Sequence, residues 1–319
     1  MEIFFDSIQE GIWFQRLHPA LRDAILSPFP YRPDMPQLLG ETLAYDRPDI
    51  VLTDEGKPVL VIERTTEVPS GHNVGQRFAR LVAAAQMRIP VVYFGPYSAR
   101  KHGGSTQGPR YMNLRLFYAL QNLARIENTA VTTIKWPVDK NYEIIQNPEK
   151  DLRVRRYLEL FFELYSRLDM PEIISKIMDS SFEAEQEQER EEFISAEVVN
   201  PEQYDGPPDS VIIAPVASMP VLGEFESGKL QYPEAVLYKV GMRNIRSDPY
   251  AGMAMLYLYL YCGGMRNRTR NLVFHFPRIN QEMWFKAASS SRERKDIRLF
   301  RLAADGILFS DGYLPQSLL

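Results

Sequence analysis

The chain holds one cysteine, Cys262, among 319 residues. That excludes an internal disulfide framework and a cysteine-rich zinc site, and it fits a reducing, cytoplasmic compartment. Histidine is scarce too. His18, His72, His102 and His275 have no HExxH-like ligand spacing, so no zinc centre is expected. The longest apolar stretch, Met253 to Cys262, is far too short to span a bilayer. The first residues, MEIFFDSIQEG, carry acids where a signal peptide needs a basic segment and then an apolar one. A soluble cytoplasmic protein with no membrane partner is the expectation. Excess positive charge is also missing. Thirty-seven basic residues against 41 acidic ones leave a net −4, so any contact with a polyanion needs locally concentrated cations. No P-loop, GxGxxG or GxSxG segment is present.

What is present is an ordinary globular balance, 45% hydrophobic and 24% charged, over a length that suits two medium domains or one elaborated one. Residues 1–45 read as a helical lead-in with prolines at 28, 30, 33 and 36. Next come a strand-like run, Asp49-Ile-Val-Leu-Thr53, a turn at Asp54-Glu-Gly-Lys57 and a second run, Pro58-Val-Leu-Val-Ile-Glu63. Two short β-branched runs split by a glycine turn predict a hairpin. A helix is predicted over about 73–88, with Val74, Phe78, Leu81, Val82 and Ala85 on one face. Pro90-Val-Val-Tyr-Phe94 is the strand after it. Strand, helix and strand make a right-handed crossover and a parallel pair.

Residues 96–112 read as a polar loop. Helices are predicted over about 112–127, 150–168 and 171–196, the last ending in an acidic stretch, Glu183 to Glu192, expected as a solvated face. The segment Asn200-Pro-Glu-Gln-Tyr-Asp-Gly-Pro-Pro208 is the best linker and divides 1–199 from 200–319. Beyond it, 210–215, 235–240 and 271–276 read as strands around a helix at 249–262. This order echoes 58–94 and leaves an internal duplication open. The fold class is α/β: a mixed central sheet flanked by helices, with additional helices and a second α/β half.

Asp49 starts one hairpin strand and Glu63 ends the next, so antiparallel pairing brings the two acids side by side. Hard cations such as Mg²⁺ take one or two carboxylates together with water or phosphate oxygens. Such an ion activates water and stabilises the leaving oxygen of a phosphodiester. Mg²⁺ is therefore the expected cofactor, with Mn²⁺ as its substitute.

Pro48-Asp49, thirteen residues, then Val-Leu-Val-Ile-Glu63-Arg64-Thr65 resembles the PD-(D/E)XK nuclease superfamily, the group of many restriction and repair nucleases. The resemblance covers roughly residues 46–95. It implies a restriction-endonuclease-like core and metal-dependent hydrolysis of nucleic acid. Thr65 stands where that family has lysine, the residue that orients or activates the attacking water. Its hydroxyl is one possible holder of the water. Another source for the cation is Arg64, Arg77 or Arg80, with Arg64 the poorest because alternate strand residues face opposite sides. A weakened site is the other explanation. The resemblance also implies a polar helix residue beside the metal. Gln76 fits that role best, and Arg77 could meet a phosphate as a fixed cation. Asn73, Gln76 and Arg80 share one flank of the predicted helix. For a third acid, Glu41 is preferred over Asp46.

Basic residues gather in loops: Arg100, Lys101 and Arg110; Arg266, Arg268 and Arg270; and the run Arg292, Arg294, Lys295, Arg298 and Arg301. Such groups neutralise phosphates, and arginine reads guanine bidentately. Arg100, Lys101, Arg110, Arg266 and Arg268 are the candidate nucleic-acid contacts. Tyr257, Tyr259 and Tyr261 are expected to pack rather than stack on bases. The resulting expectation is an endonuclease of restriction or defence type acting on duplex DNA, with residues 1–199 cutting and 200–319 recognising DNA or forming a homodimer. The alternatives are an inactive nucleic-acid-binding module on the same fold, or a nuclease for RNA or single strands.

Overall fold

The structure is a computed structural model. It describes all residues except 32–33, 72, 102–107, 220–229, 246–248 and 290–293. Pro33, His72, His102 and Arg292 lie outside the described residues. The class is α/β, with mixed sheets flanked by helices. The chain forms two compact units, one of residues 1–71, 80–114 and 123–201, the other of 72–79, 115–122 and 202–319. Among the described residues no helix is long and apolar enough to cross a membrane.

In the first unit, β1 (Glu2–Phe5) leads to α1 (Ile8–Gln15), β2 (Ile25–Pro28) and α2 (Gln37–Thr42). β3 (Ile50–Asp54) and β4 (Lys57–Arg64) follow, then α3 (Asn73–Gln86), whose residues 73–79 belong to the second unit, and β5 (Val91–Gly95). A small ribbon of β6 (Ser98–Lys101) and β7 (Gly108–Tyr111) precedes α4 (Leu114–Glu127), whose residues 115–122 belong to the second unit, and β8 (Val131–Lys135). The unit closes with α5 (Leu152–Tyr165), α6 (Met170–Met178) and α7 (Ser181–Ile194). The sheet order is β2-β1-β3-β4-β5-β8. β1 runs antiparallel to β3, and β3 to β4; β5 and β8 add in parallel.

The hairpin forms as its sequence dictates. Glu55 and Gly56 both take positive φ, 48° and 78°. Such a two-residue turn twists in the sense that antiparallel strands need. Ile50, Leu52, Leu60, Ile62, Val92, Phe94 and Ile134 bury one sheet face with Tyr157 and Phe161 of α5 and Ile173 and Ile177 of α6. The expected apolar face of α3 is buried along its length.

Several expectations needed correction. The lead-in is not simply helical: β1 and β2 join the sheet through partners distant in sequence. The loop at 96–112 contains β6 and β7, and strand β8 was missed. The helix expected over 171–196 is two, because Ser180 caps a new one by accepting from the Glu183 amide. The acidic stretch is only partly solvated. α7 buries Phe182, Gln186 and Arg190, and Glu183 accepts from Thr132 of the edge strand β8 at 2.7 Å.

The second unit contains β9 (Val211–Pro215), β10 (Glu234–Lys239), α8 (Pro249–Tyr261) and β11 (Asn271–Phe276). Then come α9 (Gln281–Ala288), α10 (Lys295–Ala303), β12 (Gly306–Phe309) and β13 (Gly312–Pro315). Its sheet order is β13-β12-β11-β10-β9. α8 is apolar almost all round and is buried accordingly. Tyr257 and Tyr259 pack against Tyr238 and Phe78, with ring centroids 4.8 and 5.5 Å apart.

The echo between the halves runs further than the sequence suggested. β9-β10-β11-β12 repeats β3-β4-β5-β8 in order and sense: an antiparallel pair, then two parallel strands, each reached through helix.

The hairpin turn is testable. Gly56→Val places a branched side chain at positive φ and costs about 1–2 kcal/mol, read by urea or thermal unfolding, whereas Gly56→Asn is tolerated. Equal stability of the Val variant and wild type would contradict this turn.

Candidate active site

Asp49 lies one step before Ile50, which pairs with Ile62, so the register sets it opposite Glu63. Both carboxylates are buried, at 5% and 0% exposure. Asp49 Oδ2 accepts the Arg64 amide at 2.5 Å, and its own carbonyl accepts the Asp6 amide at 3.0 Å. These two bonds lock the start of β3 between β1 and β4.

Arg80 reaches the pair from α3. Its Nη1 donates to Glu63 Oε1 at 2.8 Å and lies 3.4 Å from Asp49 Oδ1. Its Nε is 3.7 Å from Asp46 Oδ2. One guanidinium thus serves three acids. Burial pushes the Asp49 carboxyl up to about 8, with the Glu63 and Glu10 charges adding to it. The Arg64 amide and Arg80 counter this only in part. For Arg80 burial works against the charge, but Glu63, Asp46 and Asp49 outweigh it and raise its pKa.

Arg64 occupies the opposite face, as strand alternation requires. Its guanidinium lies over Trp13 and Trp136, 4.6 and 4.9 Å from their ring centres. Burial there lowers its pKa. The other sequence candidates are placed differently. Thr65 is buried, and its hydroxyl closes a local turn with the amide and carbonyl of Glu67, each at 3.1 Å. Glu41 is exposed on α2 and accepts from Gln37 at 3.0 Å, so the acid brought to Arg80 is Asp46 instead. Gln76 and Arg77 lie in the first turns of α3, in the segment that clusters with the second unit. The residue that completes the acidic pair is Arg80. Its signal was the shared flank with Asn73 and Gln76.

Among the basic candidates, Arg100 and Lys101 are exposed on β6, Arg110 is half-buried on β7, and Arg266 is exposed after α8. Arg268 is committed internally. It bonds Asp305 at 2.6 Å and caps α10 through the Ala303 carbonyl at 3.1 Å. Arg270 likewise pairs with Glu234 at 2.8 Å.

The second unit fills the equivalent position without charge. Glu63 pairs with Tyr93 on the next strand and is followed by Arg64, paired with Phe94. Tyr238 pairs with Phe274 and is followed by Lys239, paired with His275. The bond from Thr65 N to Phe94 O recurs as Val240 N to His275 O. Tyr238 therefore stands for Glu63, its partner Val211 for Asp49, and Tyr257 on the crossover helix for Arg80. All three are buried.

The donor set suits a hard divalent cation. Two carboxylates bracket one positively charged nitrogen, and Mg²⁺ needs no more than two from the protein. Among the described residues no three His, Cys, Asp or Glu side chains form a preset ligand group. Comparison with family models, curated proteins and solved structures finds no match to the chain.

Asp49 sets a pH dependence for the metal-free protein. Its unfolded form releases its proton near the ordinary carboxyl value of 3.8, its folded form near 8. The folded state holds the extra proton between those values, so this residue's contribution falls as pH rises from about 4 to 8. In chelator, Asp49→Asn removes that decline, and its stability gain over wild type is larger at pH 8.5 than at pH 5. Melting curves giving the same difference at both pH values would contradict the assignment.

Proposed function

We propose that the chain is a metal-dependent endonuclease of restriction or defence type that hydrolyses phosphodiester bonds in DNA. The observation that carries this reading is the buried Asp49–Glu63–Arg80 cluster, set where the same topology in the second unit accepts Val211, Tyr238 and Tyr257. The fold does not require charge at that position. Burying several charges costs stability that well-packed apolar side chains do not, and such costs gather at functional sites. The likeness to the PD-(D/E)XK pattern points the same way.

In this reading Asp49 and Glu63 hold Mg²⁺ or Mn²⁺. The bound ion supplies Lewis-acid charge at the phosphate and lowers the pKa of a water. Asp49 gives up its proton before it can act as a ligand. The Arg64 amide fixes the direction of its carboxylate. Arg80 provides the cation that lysine provides in the resembled family, held against both acids by α3 and available to charge developing on the phosphate. A second reading, a DNA-binding module without cleavage, has support in the fact that Arg80 already bonds Glu63 and Thr65 is committed to a turn.

Cleavage separates the two. Purified protein with Mg²⁺ or Mn²⁺ is expected to cut duplex DNA, with Asp49→Ala and Glu63→Ala abolishing activity and Arg80→Lys retaining more than Arg80→Ala. Wild-type cutting by both acid variants would refute the site. Tight binding with no cutting in any metal would favour the second reading, and cutting confined to RNA or single strands would reassign the substrate.

A companion variant removes the charges, as the second unit does, but with aliphatic side chains. Asp49→Val, Glu63→Leu and Arg80→Leu together are expected to fold with stability equal to wild type or higher by about 1–4 kcal/mol, and to be inactive. Severe destabilisation would make the cluster a structural device.

A further inference from the structure

We infer that the β6–β7 ribbon is a groove-reading element and that its ligand is duplex DNA, entered through the major groove. The inference rests on the nuclease reading only for where the scissile phosphate lies. The two strands form a sheet of their own, with Ser98 paired to Tyr111 and Lys101 to Gly108. The ribbon leaves the main sheet beside the acids. β5 pairs Tyr93 with Glu63, and Ser98 is five residues further on, within about 17 Å even fully extended.

Its base is anchored. Ser98 and Ala99 are buried, and Tyr97 bonds the Thr133 carbonyl at 3.2 Å and accepts from the Met112 amide at 2.8 Å. The Arg100 amide donates to Tyr142 O at 2.7 Å, and the Tyr111 and Tyr142 rings meet edge-on at 6.1 Å. Its outer half is exposed at Arg100, Lys101 and Pro109.

Charge placement identifies the ligand. The eight residues of β6 and β7 include three cations and no acid, in a chain of net charge −4. Cross-strand pairing puts Arg100 on the face of Ser98, Pro109 and Tyr111, and Lys101 with Arg110 on the other. Cations on both faces suit a ribbon inserted between two phosphate walls. A ribbon lying flat on a strand needs them on one face only. The exposed contact of Arg100 with Glu143, at 3.9 Å, is too weak to hold it back. The major groove of B-DNA, about 12 Å wide, admits a two-stranded ribbon, and a single strand offers no such groove. Arg268, Arg270 and Arg294 are tied to Asp305, Glu234 and Asp296.

The test is anisotropy of labelled duplex and matching single-stranded DNA with the full chain in EDTA, so that binding is read without cutting. Arg100→Ala combined with Lys101→Ala is expected to weaken duplex binding about tenfold and to reduce the salt dependence by about two phosphate contacts, with single-strand binding unchanged. Wild type is expected to bind a 7-deazapurine duplex less well, because that base lacks a major-groove acceptor. Arg110→Gln, with melting curves to confirm folding, provides a second variant. No duplex binding by wild type, no loss in the variants, or equal loss on single strands would overturn the inference. Protein that responds to these variants but never cuts in any metal would leave the ribbon standing and remove the nuclease.

Discussion

The first unit depends on how one guanidinium is shared. Arg80 enters a buried site where Glu63 and Asp49 lie 2.8 and 3.4 Å from the same nitrogen and Asp46 stands by its Nε. Without it, adjacent buried carboxylates would repel each other with little water to screen them. With it, Glu63 has the closer contact, and Asp49 keeps a proton until about pH 8. The hairpin fixes the two acids from one side and the buried face of α3 fixes the arginine from the other. On the far face, Arg64 between Trp13 and Trp136 anchors the strand end whose amide orients Asp49.

The second unit serves as a control inside the same chain. It solves the same packing problem with valine and two tyrosines, and Tyr238 meets Tyr257 at 4.8 Å where Glu63 meets Arg80. Shared topology with different chemistry separates what the fold needs from what a site needs. The shared strand order leaves an internal duplication open, and only the first unit carries the acids at this position. In the proposed reading each chain then has one cleavage centre, and breaking both strands of a duplex calls for a second copy or a second encounter.

Much of the first unit was legible because its signals are local. The Asp54–Lys57 turn with its glycine and the alternation of strand and helix act over a few residues. Asp49 and Glu63 could be paired from hairpin geometry alone. Partners set by distant contacts were not legible. β1 and β8 are short runs whose identity comes from neighbours far away in sequence. Arg80 was visible as one of three arginines near the acids, but choosing it over Arg77 required knowing where α3 crosses the strand ends. The sequence favoured Glu41 over Asp46 as the third acid. Only the turn after α2 decides that Asp46 faces inward and Glu41 outward. Arg268 looked like a phosphate ligand because nothing in the sequence reveals that Asp305 will lie beside it.

Whether the cluster is a metal centre is decided most directly by diffraction from crystals soaked in Mn²⁺ above pH 8, where Asp49 has lost its proton. The account predicts an anomalous peak at the Asp49 and Glu63 carboxylates, with Arg80 Nη1 moved off Glu63. Full Mn²⁺ occupancy elsewhere, with Arg80 still seated between the two acids, would contradict it.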